Sequence, residues 1–313
     1  MKSPHDLLSS GYIRATQLSA LNDPFEATYC ENNLKDLSKY FEGIERGETL
    51  IDFIEENKHY VGVISFTEAK DNLLMWAHYA DEHKGLAVKF VDYSYFKSSD
   101  KSIFENLFKM TSLTNTSWSG GFTCFDGSIT PVMYRKQARY KTDKFDFDYS
   151  DISYYGAEMI LNEIFQQKSD EWIYEKEHRI ILRLEQADRV IVYDFDSLSN
   201  SILKDSIINS STFSQKIVNG ETITQIDLIN ITDDVDRDIM ARALSTLSQN
   251  PKNLYLFKLK KGAISGCIFG INHNHRKKEI DISYITTNYI DGRFEFWKVL
   301  SNQEHYSLDF RQF

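Results

Sequence analysis

The spacing of its strand-like stretches most limits what this chain can fold into. "HYVGVISFTE" (59–68), "GLAVKFVDY" (85–93), "EWIYEKEHRIILRL" (171–184), "RVIVYDF" (189–195), "LYLFKL" (254–259) and "ISGCIFG" (264–270) are β-branched and aromatic, and each reads as a strand. Apolar residues at helical spacing mark "NLKDLSKYFEGIERG" (33–47), "YYGAEMILNEIFQQKS" (154–169) and "DDVDRDIMARALSTLSQ" (233–249), the last with an acidic start that suits its dipole. Strands and helices interleave without strict alternation, which predicts an α+β fold: a mixed β-sheet with packed helices. "RFEFWKVL" (293–300) is the surest strand of the C-terminal part. Residues 98–130, rich in Ser, Thr, Asn and Gly, are expected to be a long loop or insertion. No break in composition divides the chain, so a single domain over 1–313 is expected.

Charge and cysteine usage narrow the function. A formal charge of −10 disfavours non-specific nucleic-acid binding, which depends on neutralising phosphates. Two basic clusters, "YRKQARYKTDK" (134–144) and "HNHRKK" (273–278), are either solvated mixed-charge surface or a local nucleic-acid patch. The "HNH" letters lack the spaced scaffold of the nuclease motif. Cys30, Cys124 and Cys267 form no CxxC pair and suggest no disulfide framework. The apolar runs are too short to span a bilayer, and the first residues lack a signal-peptide core, so a cytoplasmic protein is expected.

Three motifs bear on chemistry. In "LLMWAHYADEHKG" (73–85), Asp71 or Asn72 can cap a helix and Lys84-Gly85 can end it. Leu73, Trp76, Ala77 and Ala80 fall on one stripe, predicted to be core, and Glu82 should be exposed. Asn72, Trp76, Tyr79 and His83 form a second stripe, either the polar border of the core or one wall of a cleft for a planar ligand. His78 lies on another flank, so the two histidines are poor partners for one metal ion. Just upstream, Ser65 and Thr67 share a strand face, and Glu68 opens the strand-to-helix junction. A right-handed crossover would lay the strands at 60–67 and 85–91 parallel in one sheet.

In "WIYEKEHRI" (172–180), alternation puts Glu175, Glu177 and Arg179 on one face. Two carboxylates two residues apart repel unless a positive or hydrogen-bonding group lies between them, a role Arg179 can take. The pair is either a structural ion-pair ladder or a site for a sugar hydroxyl, a cation or a cationic transition state. In "LNDPFE" (21–26), Asn22-Asp23-Pro24 predicts a turn in which an Asx side chain bonds its own backbone, with Phe25 as an anchor in the core. Asp23 or Glu26 could also be catalytic.

Taken in order, "LNDPFEA", "ISFTEAKDNLLMWAHYADEHKGLAVKF", "KSDEWIYEKEHRIIL" and "ISGCIFG" resemble the DUF2971 family of bacterial and phage-associated proteins. The resemblance implies a cytoplasmic prokaryotic protein, with a toxin-like or phage-defence role and a defence-system partner protein or a nucleotide as the binding partner. Family members usually open with a strand like "LYKYR"; the ten residues before Gly11 contain none that reads so. A fold-level analogy runs to ADP-ribosyltransferases of the Arg–Ser–Glu type, matched in order by Arg14, Ser65-Phe66-Thr67 and Glu175-Lys176-Glu177. By that analogy Glu177 contacts the ribose, Glu175 orients the acceptor, Arg14 holds the pyrophosphate, and Tyr79 or Trp76 stacks on nicotinamide. NAD is then a co-substrate, with no tightly bound cofactor and no metal. The competing readings are a non-enzymatic sensor or binding module, and a magnesium-dependent nuclease or phosphodiesterase using Asp23, Glu26, Glu175 and Glu177.

Overall fold

A computed structural model describes residues 7–8, 10–41, 49–91, 107–108, 124–137, 153–218, 220–260, 262–273 and 294–312. The elements run β1 (Tyr12–Gln17), α1 (Glu31–Leu37), α2 (Leu50–Asn57), β2 (Val61–Thr67), α3 (Leu73–Tyr79), β3 (Leu86–Phe90), β4 (Ile129–Pro131) and β5 (Met133–Arg135). They continue with α4 (Tyr154–Phe165), β6 (Gln167–Ser169), β7 (Glu177–Arg183), β8 (Arg189–Val192), α5 (Ser201–Ile208), β9 (Phe213–Val218), β10 (Glu221–Ile226), α6 (Asp234–Ser245), β11 (Leu254–Lys258), β12 (Ile264–Phe269), β13 (Glu295–Ser301) and β14 (Leu308–Gln312). The fold is α+β, as the pattern of elements predicts.

An eight-stranded sheet has the order β4-β7-β2-β1-β11-β8-β10-β9, and every neighbouring pair in it is antiparallel. A four-stranded sheet, β14-β13-β12-β3, mixes a parallel β12–β13 pair with antiparallel neighbours. A short parallel pair, β5–β6, completes the set. The expected parallel placement of β2 and β3 in one sheet is therefore wrong. Both edges of β2 are taken, by β7 and β1, and β3 pairs with β12 in the other sheet. The seven-residue α3 is too short to lay the chain back across the large sheet.

β2 and β7 read as continuous apolar runs because both faces of the sheet are covered. Ile64, Ile180 and Leu182 pack into a core shared with β8, β11, β12 and α6. Val61, Val63 and Ile181 pack into a second core with α1, α2 and α4. Gly62 lies where the first core leaves no room for a side chain: a Cβ there would meet Leu184 Cδ2 at 2.6 Å and Ala15 Cβ at 2.9 Å. The Val61–Val63 face continues outward to Ser65 and Thr67, and the Ile181 face to Arg179 and Glu177. The register sets Ser65 opposite Arg179 and Thr67 opposite Glu177, so polar residues gather where the second core ends.

Several boundaries differ from expectation. The helix expected at 33–47 ends at Leu37, continues as a 3₁₀ turn Ser38–Tyr40, and its remainder lies outside the described residues. α4 stops at Phe165, and Gln167–Ser169 extends to pair with β5. The strand expected from 171 begins at Glu177; Asp170–Glu175 is a 3₁₀ turn, and Lys176 breaks the run with φ of 45°. Most of the loop expected at 98–130, and of both basic clusters, lies outside the described residues. Among the described residues no helix is long and apolar enough to cross a membrane.

Candidate functional site

β7 carries the first two charges. Arg179, 1% exposed, sends Nε to Glu177 Oε1 at 2.8 Å and Nη2 to Glu177 Oε2 at 3.1 Å. Its other donors reach Glu26 Oε1 and Oε2 at 2.6 and 2.7 Å, and the Phe165 carbonyl at 2.6 Å. All five N–H donors of the guanidinium are used, in a two-sided fork between two carboxylates. Glu26 arrives from the turn at residues 22–26. There Asp23 Oδ1 accepts the Phe25 N–H at 2.9 Å, which is the predicted Asx turn. Phe25 is not the core anchor expected: it is 67% exposed, and the buried member of the turn's end is Glu26. Pairing with Arg179 explains that inversion.

Lys168 supplies the second cation. The β5–β6 register sets it opposite Tyr134, and both reach Glu177. Lys168 Nζ donates to Glu175 Oε2 at 2.6 Å and Glu177 Oε2 at 2.9 Å, and lies 5.1 Å from the centre of the Trp172 ring. Tyr134 Oη accepts the Glu177 backbone N–H at 2.8 Å. The cluster thus holds three carboxylates (Glu26, Glu175, Glu177) against two cations (Lys168, Arg179), all buried at the side chain.

Hydroxyls close its outer side. Ser65 Oγ donates to Glu177 Oε1 at 2.6 Å, and Tyr79 Oη donates to Glu175 Oε1 at 2.5 Å. Ser65 is exposed, and the Tyr79 residue is 48% exposed. Thr67 Oγ1 donates to the Glu175 carbonyl at 2.5 Å and accepts the Ala69 N–H at 2.9 Å. Asn72 Oδ1 caps α3 at the Leu74 N–H, while its Nδ2 donates to the Tyr174 carbonyl at 3.2 Å. The strand end after Ser65, the cap of α3 and the turn before β7 are therefore tied into one unit.

The electrostatics follow from this geometry. Burial alone would raise the Glu177 carboxyl, but Arg179, Lys168 and the Ser65 hydroxyl outweigh it and hold its pKa down at about 2. Glu26 moves the other way: burial raises it, and Arg179 and Lys168 offset that only in part. Burial works against the Lys168 charge, yet Glu177 and Glu175 raise its pKa. Burial and the bond to Glu175 push the Tyr79 phenol up, so it stays protonated and donates.

Other residues singled out in the sequence lie elsewhere. Arg14 bonds Gln17 Oε1 at 3.0 Å and the Pro251 carbonyl at 3.3 Å, not the carboxylates. Trp76 is 3% exposed, packs with Ala80, Ile268 and Val299, and donates Nε1 to the Lys70 carbonyl at 2.7 Å, leaving no ring face open for a ligand. Leu73, expected in that core, is 44% exposed, because α3 turns only Trp76 and Ala80 fully onto the second sheet; Ala77 is half-buried. Glu68 and Glu82 are exposed, and Glu68 Oε1 lies 3.5 Å from His178 Nε2. His83 closes a run of three left-handed residues, Asp81, Glu82 and His83 (φ 46°, 51° and 67°). Its carbonyl lies so close to Gly270 that a Cβ there would sit at 2.1 Å, which ties this turn to the second sheet. Among the described residues no group of three or more His, Cys, Asp or Glu could hold a metal ion. The oxygens of Glu26, Glu175 and Glu177 are instead engaged by Arg179 and Lys168.

Much of this arrangement falls within one stretch of sequence. Residues 75–180 match the DUF2971 family model, described as a protein of unknown function. The matched segment contributes Tyr79, Tyr134, Lys168, Glu175, Glu177 and Arg179, whereas Glu26, Ser65, Thr67 and Asn72 lie before it. No curated protein and no solved structure matches the chain. Sequence reasoning missed Tyr134 and, with more consequence, Lys168. It stands at the end of a helical pattern, seven and nine residues from the two carboxylates, and no periodicity links it to them.

Proposed function

We propose that the protein consumes NAD, either transferring ADP-ribose or hydrolysing the nicotinamide–ribose bond, with Glu177 as the central carboxylate. One observation carries this reading: the Ser65–Glu177 bond at 2.6 Å, between adjacent strands, beside an exposed surface. In the reaction the C1′–N bond breaks, its electron pair leaves with neutral nicotinamide, and positive charge builds on the ribose. Water or an acceptor nucleophile then captures C1′ and gives up a proton to solvent. A carboxylate that stays ionised at neutral pH, fixed by Ser65 and Arg179, can stabilise that charge without reorganising. Tyr79, half-exposed and bonded to Glu175, offers a ring beside the same carboxylates. Arg14, bonded to Gln17 and the Pro251 carbonyl, is not among the residues gathered there and has no part in this reading. NAD depletion or modification of a host macromolecule also fits the toxin-like, phage-defence setting implied by the family resemblance.

A second reading, a non-enzymatic binding module, is favoured by the saturation of Arg179, whose donors are all used within the protein. Incubation with NAD separates the two. Nicotinamide release, or label transfer to protein or nucleic acid, supports the first. Glu177→Gln, assayed well below its melting midpoint, should then lose about 10²-fold or more of that activity. Wild-type protein that leaves NAD intact, or a Glu177→Gln protein as active as wild type, removes Glu177-centred catalysis.

A further inference from the structure

Glu175 and Glu177 are buried side by side, and two carboxylates so placed repel unless a cation lies between them. Arg179 serves Glu177 and Glu26 but makes no bond to Glu175. Only Lys168, among the described residues, bonds both members of the pair, at 2.6 and 2.9 Å. Its position has two independent anchors: the pairing of β6 with β5, and the Trp172 ring under its ammonium. Removing it would leave two buried carboxylates sharing one site with no cation between them, the arrangement in which one of two carboxyls is driven to hold a proton.

We infer that Lys168 is a positioning residue of this site, the cation that, beside Arg179, lets Glu177 stay ionised while Glu175 stands next to it. The inference rests on the reading of Glu177 as the reacting carboxylate. The charged and titratable groups facing Glu177 are Arg179 on its own strand, Lys168 from β6, Glu175 from the preceding turn, Glu26 from the 22–26 turn, Tyr134 from β5 and Tyr79 from α3, while His178 lies on the opposite face of the strand beside Glu68. Of these only Lys168 and Arg179 are cations bonded to the carboxylate, and Arg179 already divides its donors between two acids.

The test reads the carboxyl itself. Protein labelled with ¹³C at the glutamate side-chain carboxyl is titrated by NMR, with the Glu177 signal assigned by its loss in Glu177→Gln. Lys168→Met should raise the Glu177 titration midpoint by roughly one unit or more over wild type, and Lys168→Arg should hold it near the wild-type value. Where NAD is consumed, the acid limb of the rate–pH profile should move up with it in Lys168→Met and return in Lys168→Arg. If Lys168→Met does not fold, Lys168→Gln takes its place with the same expected rise. A folded neutral variant whose Glu177 titrates as in wild type overturns the inference. Wild-type protein inert toward NAD overturns the functional reading instead, and the titration still decides the role of Lys168.

Discussion

Replacing Arg179 with Met tests the charge cluster most directly. The substitution keeps most of the volume and apolar stem but deletes five hydrogen bonds at once. Glu26 and Glu177 are then left buried, with only Lys168 nearby. Removing one partner of a buried ion pair costs about 3–5 kcal/mol, since the remaining charge stays desolvated. The Phe165 carbonyl, losing its bond from Arg179, adds about 1 kcal/mol. The sum, roughly 4–6 kcal/mol, would lower the melting midpoint by on the order of 10 °C or more. Urea denaturation at pH 7 and pH 5 is the assay. The deficit should shrink at the lower pH, because a proton on Glu26 or Glu177 relieves the uncompensated charge. The double variant Arg179→Met/Glu26→Gln should recover part of the loss for the same reason. A deficit below about 1 kcal/mol, or one as large at pH 5 as at pH 7, would show that the cluster is not what holds this part of the fold.

Trp76→Ala should cost roughly 3–5 kcal/mol by chemical denaturation, because the ring is 3% exposed in the α3–second-sheet core. Gly62→Ala should cost about 1–3 kcal/mol by the same measurement, its Cβ meeting Leu184 and Ala15. Phe25→Ser and Leu73→Ser should each change stability by no more than about 0.5 kcal/mol, since both side chains are exposed. In wild-type protein the contribution of Glu177 is present above the ordinary carboxyl range. It is lost as pH falls from that range through its folded value of about 2, so acid titration of stability should show a loss in that window that Glu177→Gln lacks.

Some of this was legible in the residues. The Val61–Thr67 and Ile264–Phe269 strands and the Asp234–Ser245 helix are strongly patterned, and their cores follow from that pattern. The alternation of Glu175, Glu177 and Arg179 suggested a cation between two acids. The structure keeps the principle but changes the partners: Arg179 sits between Glu177 and Glu26, and Lys168 between Glu177 and Glu175. Glu26 is far from the pair in sequence, and Lys168, though only seven and nine residues away, shares no periodicity with it, so only the folded strands could assign them. The β9–β10 hairpin went unread: an Asn-Gly pair, a hairpin-turn signature, separates its two strands in the sequence, but the flanking residues are polar enough to obscure the strand pattern. The order of strands was not readable, because most neighbours in the large sheet are distant in sequence.

That order carries a consequence for synthesis on the ribosome. β1 lies inside the large sheet, and one of its edges pairs with β11, Tyr12 with Lys258 and Ala15 with Tyr255. During translation that edge has no native partner until the residues of β11, far downstream, have been made. At about 5–20 residues per second the wait is on the order of ten seconds or more. Over that interval the nascent chain carries an unpaired strand edge, the kind of surface that invites pairing with another molecule. Slowing elongation before codon 254 should therefore lower the soluble yield, whereas a pause after β11 has emerged should not.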